Sequence, residues 1–480
     1  MSTVDRDTVQ HAPGGLAPAA VRTGTDAPSE ALPHRRLIFG IVSMALFMSS
    51  IDQTIVATAL PAIEHDFQAH INWSGWTITI YALGQVLAMP LAGKISDQFG
   101  RKKVFLISAV LFTAASLSCG FATNIETLVV LRAVQAIGGG AFMPSATGIV
   151  SDHFGRDRDR ALGMFASIFP IGGIVGPIIG GVFVAAWSWR GIFLVNVPIG
   201  IALIVLAAIF IPSSRTRPTS RTDLRGVLLL GVLILSAMFG ITYLGSATTS
   251  LVSPVFLASE AIAVLAGWRF VRHARRYPEP FIPFRLLRGR GFGTMNLINM
   301  LYGAAALGFG ALVPLYAENR FGIAPLAAGT LLTARAVGMI CVAALAVAAL
   351  RRTGYRLPMV VGFVIVFAGL VAMSITPRGL SPYVWLAAAA AVTGLGMGLS
   401  IPASNNASLQ LAPDQVAAIA GLRGMFRQSG AIMAVSVTTT VVARAGDPGI
   451  AQAHIFAIFA VLLLATIPLV FLVPDHRGSW

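Results

Sequence analysis

An all-helical integral membrane protein is the fold class predicted by three observations. The 480 residues are 56% hydrophobic, only 11% are charged, and the mean hydropathy is +0.79. Fourteen continuous apolar runs of roughly 18–25 residues recur along the chain, each long enough to cross a ~30 Å hydrocarbon layer as a helix. The runs do not alternate polar with apolar, which excludes a transmembrane barrel.

Taken in order, residues 1–36 are rich in Ala, Pro, Thr and Asp, lack an apolar segment and read as a disordered tail, not a cleaved signal. Six spans follow: Leu37–Leu60, Thr77–Gly93, Val104–Phe121, Ile125–Ile149, Ala161–Ala186 and Ile192–Ile211. These form the first bundle, 37–211. A linker region, 212–291, carries two more spans, Leu224–Leu244 and Val255–Val271, as a hairpin over about 224–271. The second bundle, 292–474, holds Thr294–Tyr316, Ala327–Leu350, Leu357–Ile375, Tyr383–Ile401, Val416–Val442 and Ile455–Val473, and leaves 475–480 as a short end. Two six-helix bundles with a two-helix insert give 14 transmembrane helices.

An even number of spans puts both ends on one side. On that side fall 26 of the 34 Lys and Arg residues, against Arg190, Arg320, Arg378 and Arg444 on the other. Positive charge collects in cytoplasmic loops, so both termini are expected inside. The same rule accounts for a net charge of +15 without a nucleic-acid partner. Trp73, Trp76, Trp187, Trp189, Tyr243, Tyr316, Tyr383 and Trp385 fall near outer span ends and are expected to anchor at the interface. Pro278–Arg288 mixes apolar and basic residues, which suits a strip on the inner membrane surface and equally a basic loop. Cys119 and Cys341 lie in different halves and read as small packing residues.

The chemistry starts in the turn Gly93-Lys94-Ile95-Ser96-Asp97-Gln98-Phe99-Gly100-Arg101-Lys102-Lys103. Glycines let helix ends approach, Asp97 offers a carboxylate, and Arg101 with its neighbours stays in cytoplasmic water; the content is a charge latch between helices. The pattern resembles the signature loop of the major facilitator superfamily. A decayed copy stands at Arg351-Arg352-Thr353-Gly354-Tyr355-Arg356, with Val347 and Arg351 where the first has Gly93 and Asp97, and is not expected to make the same latch. Such internal symmetry is what repeated transporter halves leave behind.

Asp52 lies eight residues before the outer end of the first span and Arg132 seven residues after the outer start of the fourth. At 1.5 Å per residue both sit roughly 10–12 Å deep and can meet. A lone carboxylate at that depth costs several kcal/mol, so it binds a proton or pairs with a cation. Two readings follow: a proton switch, or a permanent ion pair that orients helices. Gln135 and Gly139 share a face with Arg132, giving a polar strip that resembles the superfamily's fourth-helix motif, with Ala136 where a glycine is usual. In the fifth span Gly163, Gly172, Gly176-Pro177 and Gly180 leave one face almost bare backbone, which admits a close partner helix, and the proline allows a bend. This spacing resembles the antiporter motif of the superfamily's exporters.

Further marks are Ile51-Asp52-Gln53-Thr54 through Pro61, Arg335, and Arg427-Gln428-Ser429-Gly430. From Leu37 to Pro474 the chain resembles the fourteen-span drug/proton antiporter family. That resemblance implies the major facilitator fold, with proton coupling by Asp52 supported by Arg132. More than two residues from either end of the predicted spans stand two acids, Asp52 and Glu260, and four arginines, Arg132, Arg335, Arg423 and Arg427. Arg423 and Arg427, four apart on one face, could meet an anionic substrate group, or bond carbonyls as gate residues. Tyr81, Gln85, Asn296 and Asn299 add hydrogen-bonding groups to cavity-lining spans, or serve as glue between helices. Glu260, on the insert, binds a proton or pairs locally.

Lys94 is followed by neither Ser nor Thr and lacks the upstream glycine of a phosphate loop, so ATP drive is not indicated. None of the eight histidines stands at metal-ligand spacing, and no cofactor or metal is expected beyond the proton as coupling ion. No nucleophile–base pair points to an enzyme. The expectation is proton-coupled efflux of small, largely apolar compounds by alternating access, in a monomer. A proton-coupled importer and a non-transporting sensor are the rivals. Arginine outnumbers lysine, as in GC-rich bacterial genomes, which points to a bacterial cytoplasmic membrane.

Overall fold

The computed structural model describes residues 34–480 except 69–70, 167, 214–222, 245–249, 279, 281, 283–285, 287–290, 378, 413–414, 474 and 476–480. The predicted tail through residue 33 and most of the Pro278–Arg288 strip therefore lie outside the described residues. Every described regular element is a helix. The first half contains α1 (Arg35–Phe67), α2 (Ile71–Phe99), α3 (Arg101–Gly120), α4 (Ile125–Phe154), α5 (Arg158–Ala166), α6 (Ile168–Ala186), α7 (Gly191–Leu194) and α8 (Asn196–Phe210). The insert is α9 (Leu224–Leu244) and α10 (Pro254–Arg276). The second half runs through α11 (Phe292–Tyr302), a π-helical stretch Gly303–Gly308, α12 (Phe309–Phe321), α13 (Pro325–Thr353), α14 (Arg356–Ser374), α15 (Pro382–Gln410), α16 (Val416–Arg444), α17 (Pro448–Leu464) and α18 (Ile467–Val470).

Each of the fourteen predicted spans falls on helix, as one element or as consecutive ones. Among the described residues nine helices are long and apolar enough to cross a membrane, and three shorter apolar stretches, Ile171–Ala186, Leu228–Ile241 and Ala327–Ala343, accompany them. Several helices outlast their apolar runs. The run ending at Leu60 continues to Phe67, and the one ending at Ile401 continues to Gln410. Polar residues extend a helix once a neighbour supplies packing, so hydropathy marks the lipid-immersed part and not the helix end.

That effect corrects the reading of the Gly93–Lys103 segment as a turn. Residues 93–99 are the last two turns of α2, and α3 starts at Arg101. The only break is Gly100, at φ 100° and ψ 132°, a conformation that a side chain would strain. In the second half Gly354, at φ 71°, plays the same part between α13 and α14.

Packing follows small residues. Helix α6 lies along α1. A Cβ on Gly172, Gly176 or Gly180 would run into Ser50, Thr54 or Thr58, whereas Gly173 and Gly181 face open space. Bare backbone on one face of α6 is what lets the two helices close. Ser50 Oγ donates to the Phe169 carbonyl across this contact. Gly163 lies in α5, apart from the α6 glycines.

Among the described residues apolar side chains form three clusters: a large one centred on the first half, one in the second half, and a smaller one in the first half around Ile55, Leu128 and Phe193. The second-half cluster draws only on residues 295–473, while the first also takes in Leu409, Ala412, Val416 and Leu422 from α15, α16 and the join between them. The α15–α16 corner is thus packed into the first half's core. Of the expected interface anchors, Trp187 and Tyr383 are exposed. Trp189 and Tyr316 are not: both are buried, Trp189 donating to Asp66 and Tyr316 to the Met373 carbonyl. Each found a polar partner within the protein that water would otherwise supply. Cys119 is buried and Cys341 exposed, both as free thiols.

Candidate functional site

Four helices of the first half place polar groups around one carboxylate. Asp52, on α1, is fully buried. Its Oδ2 accepts from Arg132 Nη1 at 2.6 Å, and its Oδ1 from Gln135 Nε2 at 2.8 Å and Asn196 Nδ2 at 3.1 Å. Arg132 and Gln135 come from α4, Asn196 from α8. From α3, Ser116 Oγ accepts from Gln135 at 2.5 Å and from Asn196 at 3.3 Å. The guanidinium is itself well held. Arg132 Nε donates to the Thr77 carbonyl at 3.2 Å, Nη1 also reaches Gln135 Oε1 at 2.7 Å, and the group stands 3.9 Å over the Tyr81 ring.

Arg132 is 1% exposed. Attraction between two charges roughly 4 Å apart at an effective dielectric of about 20 is worth about 4 kcal/mol. Removing each ion from water costs several kcal/mol. The two are comparable, so the pair is a poised element and a weak source of stability.

Gln85 and Tyr81, expected to line a cavity, sit inside this half. Gln85 Nε2 donates to Ser49 Oγ at 3.3 Å, and the Tyr81 ring packs under Arg132 with its hydroxyl buried and unpartnered. Gly139 faces Tyr81 and Phe112. Asn196 and Ser116 escaped the sequence reading. The signal for Asn196 is a polar residue four positions into the otherwise apolar run Ile192–Ile211, on the same outer side as Arg132.

The latch residues join the two halves. Asp97 Oδ1 holds Arg101 at 3.3 Å, and Oδ2 accepts from the Ala418 backbone N–H at 3.0 Å, in the first turn of α16. A carboxylate at a helix N-terminus meets unsatisfied donors and the positive end of the dipole. Arg101 also donates to the Gly148 carbonyl and pairs with Asp152. A Cβ on Gly93 would collide with the Ala417 carbonyl, so the glycine lets α2 and α16 touch. Lys94 reaches the Pro280 carbonyl at 2.8 Å.

The decayed copy makes a different fastening. Tyr355, fully buried, donates from its hydroxyl to Asp159 Oδ2 at 3.3 Å, on α5 of the other half. Burial first, then the Asp159 carboxylate, pushes the Tyr355 phenol above its ordinary range. Asp475 accepts from the Tyr355 backbone N–H at 2.9 Å, and Arg356 Nε donates to the Val473 carbonyl at 2.8 Å. Both corners therefore tie the halves together at one end of the molecule. At the opposite end Asp66 accepts from Arg190 at 2.6 Å and from Trp189 at 3.0 Å, bonds that hold its carboxyl below the usual range.

The remaining candidates belong to the second half. Asn296 donates to the Leu286 carbonyl and Asn299 to the Met295 carbonyl, so both amide groups are spent on backbone. Arg335 Nη1 donates to the Ala306 carbonyl at 3.1 Å. Arg427 Nη2 reaches Met143 Sδ of the first half at 4.0 Å, and Arg423 is 3% exposed with a buried, unpartnered Nε. Glu260 packs against Gly240 within the insert, its Oε1 buried and unpartnered.

The model of the Major Facilitator Superfamily matches residues 42–435 and 295–480. This chain belongs to that superfamily. Its relatives include the multidrug transporter protein MdtP of Bacillus subtilis, 28% identical with 86% of this chain and 76% of that protein covered. A multidrug resistance protein B homolog of Mycobacterium tuberculosis is 31% identical, with 83% and 75% covered. Among solved structures, the human organic anion transporter MFSD10 superposes with a TM-score of 0.68 over 91% of this chain and all of that one, at 15% identity. The superfamily fold is thus shared well beyond recognisable sequence. The superfamily and these relatives make the chain a membrane transporter, not an enzyme.

Proposed function

We propose that this transporter is a proton-coupled exporter of small, largely apolar compounds, with fourteen spans and both termini in the cytoplasm of a bacterial cell. The observation that carries the reading is Asp52, a carboxylate with no solvent exposure whose three donors come from two other helices, α4 and α8. Protonation of Asp52 removes the charge that binds α1 to Arg132. Arg132 then relaxes toward the Thr77 carbonyl and the Tyr81 face, and α1 is free to move with the glycine-faced α6. Loss of the proton on the other side restores the pair. The Asp97 and Tyr355 corners close the end assigned to the cytoplasm, which suits the facing that takes up a proton from outside. The multidrug relatives support export. Inverted membrane vesicles test it: an imposed proton gradient should drive dye accumulation in wild type, and direction of counterflow separates export from import. Unchanged gradient-driven transport in Asp52→Asn removes the assigned role.

A further inference from the structure

The second half holds three cations within its spans and no acid. Glu318, Asp414, Asp447 and Asp475 all lie beyond the apolar runs of this half. Among the described residues Arg335, Arg423 and Arg427 form no ion pair. Two of the three are fixed on one short stretch of chain. Arg335 bonds the Ala306 carbonyl inside the π-helical segment, whose wider turns leave the regular hydrogen-bond ladder. Gly303, first in that segment, lies against the Arg427 backbone so closely that a Cβ would overlap its carbonyl. Tyr302 precedes it, stacked on Phe363 at 5.3 Å, with its hydroxyl 3.1 Å from Ser400 Oγ.

Arg427 crosses toward Met143 of the first half, so its side chain stands between the two halves. Arg423, one turn away on the same face, is nearly fully buried and makes no hydrogen bond or ion pair among the described residues. A guanidinium stays charged at every accessible pH, so burial cannot be relieved by losing its proton. Left uncompensated it destabilises the fold. An anionic ligand would compensate it.

We propose that Arg423 and Arg427, with Arg335 and Tyr302 beside them, form a recognition site for an organic anion, a carboxylate or sulfonate carried on an apolar body. The guanidinium forks take the anionic head, in the paired geometry they favour, and the apolar helix faces between the halves take the body. This deepens the export reading and rests on it for direction of transport, while the binding site itself requires no proton gradient.

Equilibrium binding to the purified full-length protein in detergent, with pyrenebutyrate and its methyl ester as matched probes, is the test. Pyrenebutyrate should bind at least tenfold more tightly than the ester. Arg423→Gln and Arg427→Gln should each erase that preference by weakening pyrenebutyrate binding to the level of the ester, and Arg423→Lys should restore it only in part. Thermal melting adds a readout that a purely structural arginine would not give. Arg423→Met should melt higher than wild type without probe, and should lose the stabilisation that pyrenebutyrate confers on wild type. Equal affinity for acid and ester, or an unaltered preference in both glutamine variants, overturns the proposal, as does a lower melting temperature for Arg423→Met with the preference intact. Displacement of pyrenebutyrate by millimolar chloride as readily as by benzoate also overturns it, since the site would then be an inorganic-anion site. If the preference holds but vesicles export nothing, the export reading fails and the anion site stands.

Discussion

The two halves share a plan and treat buried charge in opposite ways. In the first, Asp52 and Arg132 neutralise each other, and Gln135, Asn196 and Ser116 surround the carboxylate or the amides that bond it. In the second, Arg335 is served by a backbone carbonyl, Arg427 by a thioether and Arg423 by nothing among the described residues. A self-contained pair can be opened by the smallest charge carrier, a proton. Cations without acids wait for a larger one. On the proposed reading, division of labour between coupling ion and cargo follows from where the acids are, although the helices that carry them repeat.

The sharpest way to break this contrast is to remove one arginine from each half. Arg132→Met leaves Asp52 buried without its cation and should destabilise the protein by about 3–5 kcal/mol, less if the carboxyl takes up a proton. Arg423→Met should instead be stabilising; unfolding in detergent reads both, and equal losses would erase the distinction. Next comes the α1–α6 contact, which glycines close as Gly303, Gly308 and Gly430 close the contact between the first span of the second half and α16. Gly176→Val places a branched side chain against Thr54 and should cost roughly 1–3 kcal/mol by overpacking, with a matching fall in transport. Gly173→Val, facing open space, is the control.

The two corners sharpen the comparison further. Asp97→Ala removes a charged cap from α16 and an ion pair from Arg101, and should loosen that end by about 1–2 kcal/mol, seen as faster alkylation of a cysteine placed beneath it. Tyr355→Phe deletes one long hydrogen bond to Asp159 and should cost about 0.5–1.5 kcal/mol. A larger effect at Tyr355 would reverse the ranking of the corners. Smallest is Arg190→Ala at the opposite end, where a partly exposed pair is worth about 0.2–1 kcal/mol. Because Asp66 is held below its usual range, this contribution is present at neutral pH and fades as pH falls below about 4, toward the folded value. A melting difference between wild type and variant that does not shrink as the pH is lowered below about 4 would contradict it.

Most of the fold was legible because hydropathy and helix length answer to one solvent, the bilayer. Helix ends were not: α2 runs past its apolar part to Phe99, and the supposed turn is a single glycine. Asp52 and Arg132 could be matched by depth, since both are charges in apolar runs. Asn196 is uncharged and Ser116 small, so neither stood out, yet both complete the site. The second corner was illegible for a different reason. Tyr355, Asp159 and Asp475 meet across 120 to 196 positions of chain, and a phenol replaced the arginine of the first copy, so nothing local announced a partner.

Substrate-dependent proton flux in proteoliposomes tests the central claim most directly. Wild-type protein should alkalinise the interior of vesicles, in the orientation that mimics export, when substrate is added outside, and Asp52→Asn should abolish that signal while still binding substrate. Full proton flux from Asp52→Asn, or substrate movement by wild type without any proton movement, would contradict the account.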